Sequence, residues 1–266
     1  DIGPLGRLLK PYGDLDFEDA VSLFKRTFLI AFKYNIDAVT IETMNDAFEA
    51  KACVVAAKEA RIECGKPDLP VFVTTVFDAS SRLLTGASPE VMVAILEGLG
   101  VDALGLNCGL GPDVLVDAGI RLVRASSIPV IIKPNAGLPR SENGKTVYDM
   151  QPLEFGEQVI ELIKSGASIV GGCCGSTPDH IAAIAKAVEG VKPRKRVERP
   201  TAWLAGLEAF DNNGAFINVG ERCNVAGSRK FLRLISNREY AEALSIARKQ
   251  VEDGAMLLDI NMDDAM

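Results

Sequence analysis

Histidine is almost missing from these 266 residues, with His180 standing alone. That excludes paired-histidine acid–base chemistry and any zinc site built on two imidazoles. Cysteine is sparse as well: six thiols are too few for a disulfide framework in a chain of this length. The adjacent Cys173 and Cys174 could pair with each other only through a strained vicinal bond. No apolar run is long enough to span a membrane, and no basic, apolar and small-residue leader opens the chain. The expectation is a protein of the reducing cytoplasm, whose cysteines serve as metal ligands or catalytic thiols. Basic residues are outnumbered, and the net charge of −7 argues against a nucleic acid or a membrane surface as partner. Apolar residues are plentiful at 48%, enough to bury the core of one large α/β domain or two smaller ones.

The pattern alternates between strands and helices. Phe17–Tyr34 reads as a helix with Phe17, Val21, Phe24, Phe28 and Phe32 on one stripe. Ile36–Glu42, Val71–Phe77, Asp102–Asn107, Pro129–Lys133 and Ser168–Gly172 read as strands. Between them lie a helix capped by Asn45 and running to about Cys64, one opened by Ser88-Pro89, and helices over Pro112–Ser126 and Pro152–Ser165. Thr177-Pro178-Asp179 caps another, and Ala136–Tyr148 reads as a loop. That gives about five strands, or six with a stub at Asp1–Pro4, where a closed parallel barrel needs eight. The sheet is therefore either open or a barrel lacking its first two units. Val191–Pro200 is basic, bounded by proline and without apolar period, so residues 191–214 read as a linker between a domain at 1–190 and a second α/β unit at 215–266. In that unit Ala215–Val219 and Met256–Asn261 read as strands and Arg238–Asp253 as a helix.

The chemistry concentrates at strand ends. Cys108 follows one strand within Asn107-Cys108-Gly109, and Cys173 and Cys174 follow another within Gly171-Gly172-Cys173-Cys174-Gly175. Three buried small hydrophobes is one reading. The other is a zinc site with an open fourth position. Zinc on three thiolates would accept an exogenous thiol and deprotonate it while leaving it nucleophilic. The suggested chemistry is alkyl transfer to a thiol, since no histidine base is at hand for hydrolysis. Glu42 ends another strand, either as a helix-cap partner or as a carboxylate for a substrate ammonium. Asn135 is a turn residue, or an amide oxygen that reaches the metal when the substrate thiol is absent. His180 reads as a local cap or surface group, Asp78 and Arg82 as solvated, and Cys53 and Cys64 as packing residues. Glu221 and Asn224 after one strand, and Asp259 and Asn261 at the end of another, begin a second polar rim.

Ile41-Glu42-Thr43, Leu106-Asn107-Cys108, Pro134-Asn135-Ala136-Gly137 and Gly171-Gly172-Cys173-Cys174-Gly175 together resemble the signature of the homocysteine S-methyltransferase family, over residues 1 to about 190. Asn218 to Arg229, with Asp259 to Asp264, is similar to the start of the pterin-binding domain found in the cobalamin-dependent methionine synthases. The resemblance implies an α/β fold: a (β/α)8 TIM-type barrel lacking its first units, then the start of a second such barrel. It implies that Cys108, Cys173 and Cys174 hold zinc, that zinc holds the homocysteine thiolate, that Glu42 takes the homocysteine amino group, and that Asn135 lies near the metal. It implies methylcobalamin as methyl donor, bound by a domain outside this chain, and recharging by methyltetrahydrofolate against Glu221 and Asn224, with Asp259 and Asn261 beside them.

An Asp-Gly-rich loop that the family uses to hold homocysteine is not found before Glu42, and no Asp-x-His-x-x-Gly motif occurs. The expectation is a fragment that keeps its zinc ligands, does not turn over alone, and self-associates through open sheet edges. Three alternatives accompany this reading: a redox or regulatory dithiol at Cys173-Cys174, a closed structural zinc site, and homocysteine methylation from another donor.

Overall fold

The structure, a computed structural model, describes residues 1–195, 203–210 and 214–263. These form two units, one up to Phe210 and one beyond it. In the first, α1 (Phe17–Ala31), β1 (Val39–Met44), α2 (Ala47–Glu63), β2 (Val71–Thr75), α3 (Pro89–Gly98), β3 (Ala103–Asn107), α4 (Pro112–Ala125) and β4 (Val130–Lys133) follow one another. A hairpin of β5 (Pro139–Glu142) and β6 (Lys145–Tyr148) interrupts the alternation. It resumes with α5 (Pro152–Ser165), β7 (Ile169–Val170) and α6 (Pro178–Ala187).

The five-stranded sheet runs β1-β2-β3-β4-β7, all pairs parallel. The stub at the start adds a sixth contact, Ile2 bridging Ile41 on the free edge of β1. The count of five strands plus a stub therefore holds, and no pairing closes the sheet among the described residues. Each position of β3 is buried, as expected of a parallel strand covered on both faces. The α1 stripe of Val21, Phe24, Phe28 and Phe32 packs in one core with Ala50, Ala57 and Ala60 of α2, whose small side chains admit the large rings.

Several local expectations are corrected. Asp46, not Asn45, caps α2: its carboxylate accepts from the Phe48 and Glu49 N–H groups at 3.1 and 3.3 Å. The loop expected over Ala136–Tyr148 contains the antiparallel β5–β6 hairpin, whose exposed residues carry no apolar alternation. The first helix stops at Ala31, three residues early. Within the expected linker, Leu204–Ala205 (β8) and Ala209–Phe210 (β9) form a short hairpin, and Trp203 and Ala205 pack against the first unit's core. Residues 196–202 of that linker lie outside the described residues.

Glu90 of α3 and Arg121 of α4 make a two-pronged ion pair at 2.8 and 2.7 Å. The guanidinium holds the Glu90 carboxyl at about 2, below its ordinary 4.5. A depressed folded value means stabilisation that is fully present above pH 4.5 and fades as pH falls towards 2. The pair is part-exposed, so Glu90→Gln should cost only about 1 kcal/mol at neutral pH. Denaturant midpoints measured from pH 6 down to pH 2 should converge for the two proteins at the acid end.

The second unit contains β10 (Val219–Asn224), α7 (Arg229–Ser236), α8 (Tyr240–Glu252) and β11 (Leu257–Asn261), with β10 and β11 parallel. The strand expected at Ala215–Val219 begins where it was expected to end, so Glu221 and Arg222 lie within a strand and not after one. The single expected helix is preceded by α7, which Ser228 caps by accepting from the Phe231 N–H at 3.3 Å. Cys223, Val225, Phe231, Leu234 and Ala243 form this unit's core.

Candidate metal centre

The carboxyl ends of β3 and β7 place their thiols together. Parallel sheets gather ligands at that end because successive strands deliver their loops to one side. Asn107 ends β3, and Cys108 follows with φ of +62°, a left-handed conformation uncommon outside glycine. Its N–H donates to the Lys133 carbonyl at 3.0 Å, while the Cys173 N–H donates to the Pro134 carbonyl at 2.8 Å. The ligand atoms of Cys108, Cys173 and Cys174 all lie within 4.8 Å of one another. The Sγ atoms of Cys108 and Cys174 stand 3.7 Å apart. Gly175 follows with φ of +80°, and the Tyr148 ring of β6 lies where a Cβ would stand.

Asn135 joins the two thiol loops. Its side-chain oxygen accepts from the Cys174 N–H at 3.0 Å and its amide nitrogen donates to the Gly109 carbonyl at 3.2 Å. The residue is buried, and both ends of its amide are engaged in positioning the cysteine backbones.

Burial, with the neighbouring thiols' charge added, pushes the Cys108 thiol up to about 11. Burial and the nearness of Cys174 also raise the Tyr148 phenol. Like charges crowded together resist ionisation, and a divalent cation reverses that balance. Three soft sulfur donors converging from two loops fit zinc. No further His, Cys, Asp or Glu joins the cluster among the described residues, and Cys174 is exposed, so solvent reaches the cluster.

Polar residues that the sequence did not single out tie the centre to β1. Asn107 is buried and makes four contacts: Oδ1 accepts from the Thr43 N–H at 2.9 Å and the Thr74 hydroxyl at 2.6 Å, and Nδ2 reaches Thr43 Oγ1 at 2.8 Å and Cys173 Sγ at 3.7 Å. Thr43 has φ of +64°, an outlier for a β-branched residue. Glu42 forms an ion pair with Lys133, both side chains only 22% exposed. Three interstrand steps separate β1 from β4, about 14 Å in a flat sheet. The two long side chains therefore reach towards each other across the ends of β2 and β3. Lys133 carried one sequence signal: a charged residue ending an otherwise apolar strand.

His180 is no ligand. Nδ1 accepts from the Thr177 N–H at 3.1 Å and Nε2 donates to the Met150 carbonyl at 2.9 Å, which occupies both ring nitrogens. It is the expected cap, though buried and not on the surface. Asp78 organises a turn, accepting from Ser80 and the Arg82 N–H. Cys53 is buried in the core. A cavity of about 620 Å³ is lined by Leu9, Phe48, Ile95, Leu99 and Leu207; none of the clustered thiols reaches it.

In the second unit Asn224 and Asn261 are register partners at the carboxyl ends of β10 and β11, with Asn261 Nδ2 3.3 Å from Asn224 Oδ1. Asn224 Oδ1 also accepts from the Ala226 and Gly227 N–H groups at 2.9 and 3.0 Å. Glu221 lies where the register shifts between Gly220 and Cys223, and Asp259 lies within β11, exposed. Asp264 is outside the described residues.

Comparison with known proteins gives the following. The family model described as homocysteine S-methyltransferase matches residues 1–188, and the one described as pterin binding enzyme matches residues 220–266. Among solved structures, the apo form of the homocysteine methyltransferase MmuM from Escherichia coli superposes with a TM-score of 0.54 at 22% identity, covering 70% of this chain and 61% of that one. Its metallated form gives 0.47 at 24% identity, covering 62% and 51%. The chain thus spans about 61% of the length of the apo relative.

Proposed function

We propose that this chain, which belongs to the homocysteine S-methyltransferase family, activates the homocysteine thiol at Cys108, Cys173 and Cys174 for methylation to methionine. The observation that carries this reading is the convergence of the three ligand atoms within 4.8 Å, with Cys174 exposed to an arriving thiol. Zinc held there would lower the pKa of an arriving thiol and leave its sulfur nucleophilic. Asn135 and Asn107 hold the thiol-bearing loops, and Glu42 receives the substrate ammonium. A reducing cytoplasm keeps the cysteines in ligand form. The parallel order of the sheet supports a TIM-type barrel architecture for the first unit.

The pterin-binding match favours methyltetrahydrofolate as the ultimate methyl source. In this reading Glu221, Asn224, Asp259 and Asn261 face the folate, the second unit begins a second barrel, and methylcobalamin carries the methyl group from a cobalamin-binding domain of the full-length protein. The protein is then a methionine synthase.

Zinc content and X-ray absorption at the zinc edge test the core of this reading. The purified chain should hold about one zinc with three sulfur neighbours, rising to four when homocysteine is added. A sulfur count that homocysteine leaves unchanged would refute it.

A further inference from the structure

The cavity of about 620 Å³ that the thiols do not reach has apolar walls and one unspent charge. Its walls are Leu9 and Tyr12 before α1, Phe48 of α2, Ile95 and Leu99 at the carboxyl end of α3, and Leu207 between β8 and β9. Tyr12, Phe48 and Leu207 are 59%, 41% and 52% exposed, so three large apolar side chains stand open around one hollow. Phe48 stacks on Phe17 with ring centroids 4.6 Å apart, which fixes its orientation. The volume lies within the range of roughly 300–1,000 Å³ that small-molecule pockets occupy.

Most polar groups at the cavity already have partners. Asp46 caps α2 and accepts from the Thr85 hydroxyl at 3.0 Å. Lys10 pairs with Asp16 at 2.9 Å. The Lys58 ammonium donates to the Leu99 carbonyl at 2.6 Å. Lys51 is different: it is exposed, and its ammonium has no partner among the described residues. It lies three residues after Phe48 on α2, the spacing that puts two side chains on one helix face.

Gly98 adds an independent observation. It is the last residue of α3, its backbone is helical, and nothing stands within 4 Å of where a Cβ would be. Neither a turn nor crowding requires glycine there, and a helix would favour almost any other residue by about 0.5–1 kcal/mol. What glycine does at this position is keep the cavity wall open.

We propose that this cavity binds an aromatic monoanion, a planar ring system bearing one carboxylate. The rings lie against Phe48, Leu99 and Leu207, and the carboxylate pairs with Lys51. The proposal is independent of thiol activation, since neither the clustered cysteines nor Glu42 line the cavity.

The test is calorimetric binding of 2-naphthoate to the purified chain, compared with 2-naphthalenemethanol, its neutral counterpart. One equivalent of naphthoate should bind, about fivefold more tightly than the alcohol, and the preference should shrink as salt is added. Lys51→Gln should lower naphthoate affinity about fivefold and leave the alcohol unchanged. Gly98→Phe fills the hollow and should weaken both ligands more than tenfold, with a thermal midpoint equal to or above that of the unaltered chain. Cys108→Ser should change neither affinity, which separates the cavity from a carboxylate bound at the thiol centre. Absence of saturable binding, or undiminished binding to Gly98→Phe, would mean that the cavity is not a ligand site. A preference for the anion that survives Lys51→Gln would overturn the assigned ligand class.

Discussion

Replacing Cys108 with serine should weaken zinc binding by roughly two to three orders of magnitude, about one ligand's share of the ~10–16 kcal/mol typical of thiolate-rich sites. A competing chromophoric chelator measures the loss. Cys64→Ser, which alters a thiol outside the cluster, should leave zinc affinity unchanged. The pH dependence gives a second readout. Burial pushes the Cys108 thiol up to about 11, so in the metal-free chain it is protonated at neutral pH. Zinc must displace that proton, and its contribution makes affinity rise about tenfold per pH unit until the thiol ionises. The serine variant should lose one unit of that slope. The same substitution separates the enzyme from a dithiol switch at Cys173-Cys174, which has no use for Cys108. If zinc affinity survives the change, the three-thiol centre is wrong.

The parts of this site legible in the sequence are those fixed by local order. Cysteines directly after apolar runs must emerge at carboxyl strand ends, so Cys108, Cys173 and Cys174 could be placed before the fold was known. Residues acting across the sheet could not. Lys133 meets Glu42 across two intervening strands, and no local pattern encodes which strands lie between them. Asn107 was visible as part of a motif, but its four contacts reach three other segments of the chain.

The misplaced elements have similar physical causes. Asn45 and Asp46 are equally good caps by residue type, and only backbone entry geometry selects Asp46. Strand β10 was misread because Glu221 and Arg222 are charged; both point their side chains to solvent where the register shifts. Helix α7 was passed over because Arg229, Lys230 and Arg233 dominate it, although Phe231 and Leu234 are buried on one face.

Asn107→Leu is expected to be the most damaging single substitution at the centre outside the thiols themselves. Leucine keeps the branched heavy-atom skeleton of asparagine but has no polar atoms, so the main loss is one of hydrogen-bond partners. The Thr74 hydroxyl, fully buried, and the Thr43 N–H would both lose their acceptor. Each unpaired polar group costs about 1–3 kcal/mol, which puts the loss at roughly 2–5 kcal/mol in denaturant unfolding. Thr43, already in a left-handed conformation, would lose the contacts that hold it there. Because Asn107 also reaches Cys173 Sγ, zinc affinity should fall about 10–100-fold, as when a ligand's supporting partner is removed. A second change discriminates between the two effects. Thr74→Val removes the orphaned hydroxyl, so the double variant should recover part of the lost stability. It should recover none of the zinc affinity, because the contact to Cys173 stays absent. Full recovery of both would mean that Asn107 acts only through Thr74, and that its approach to the thiol is incidental.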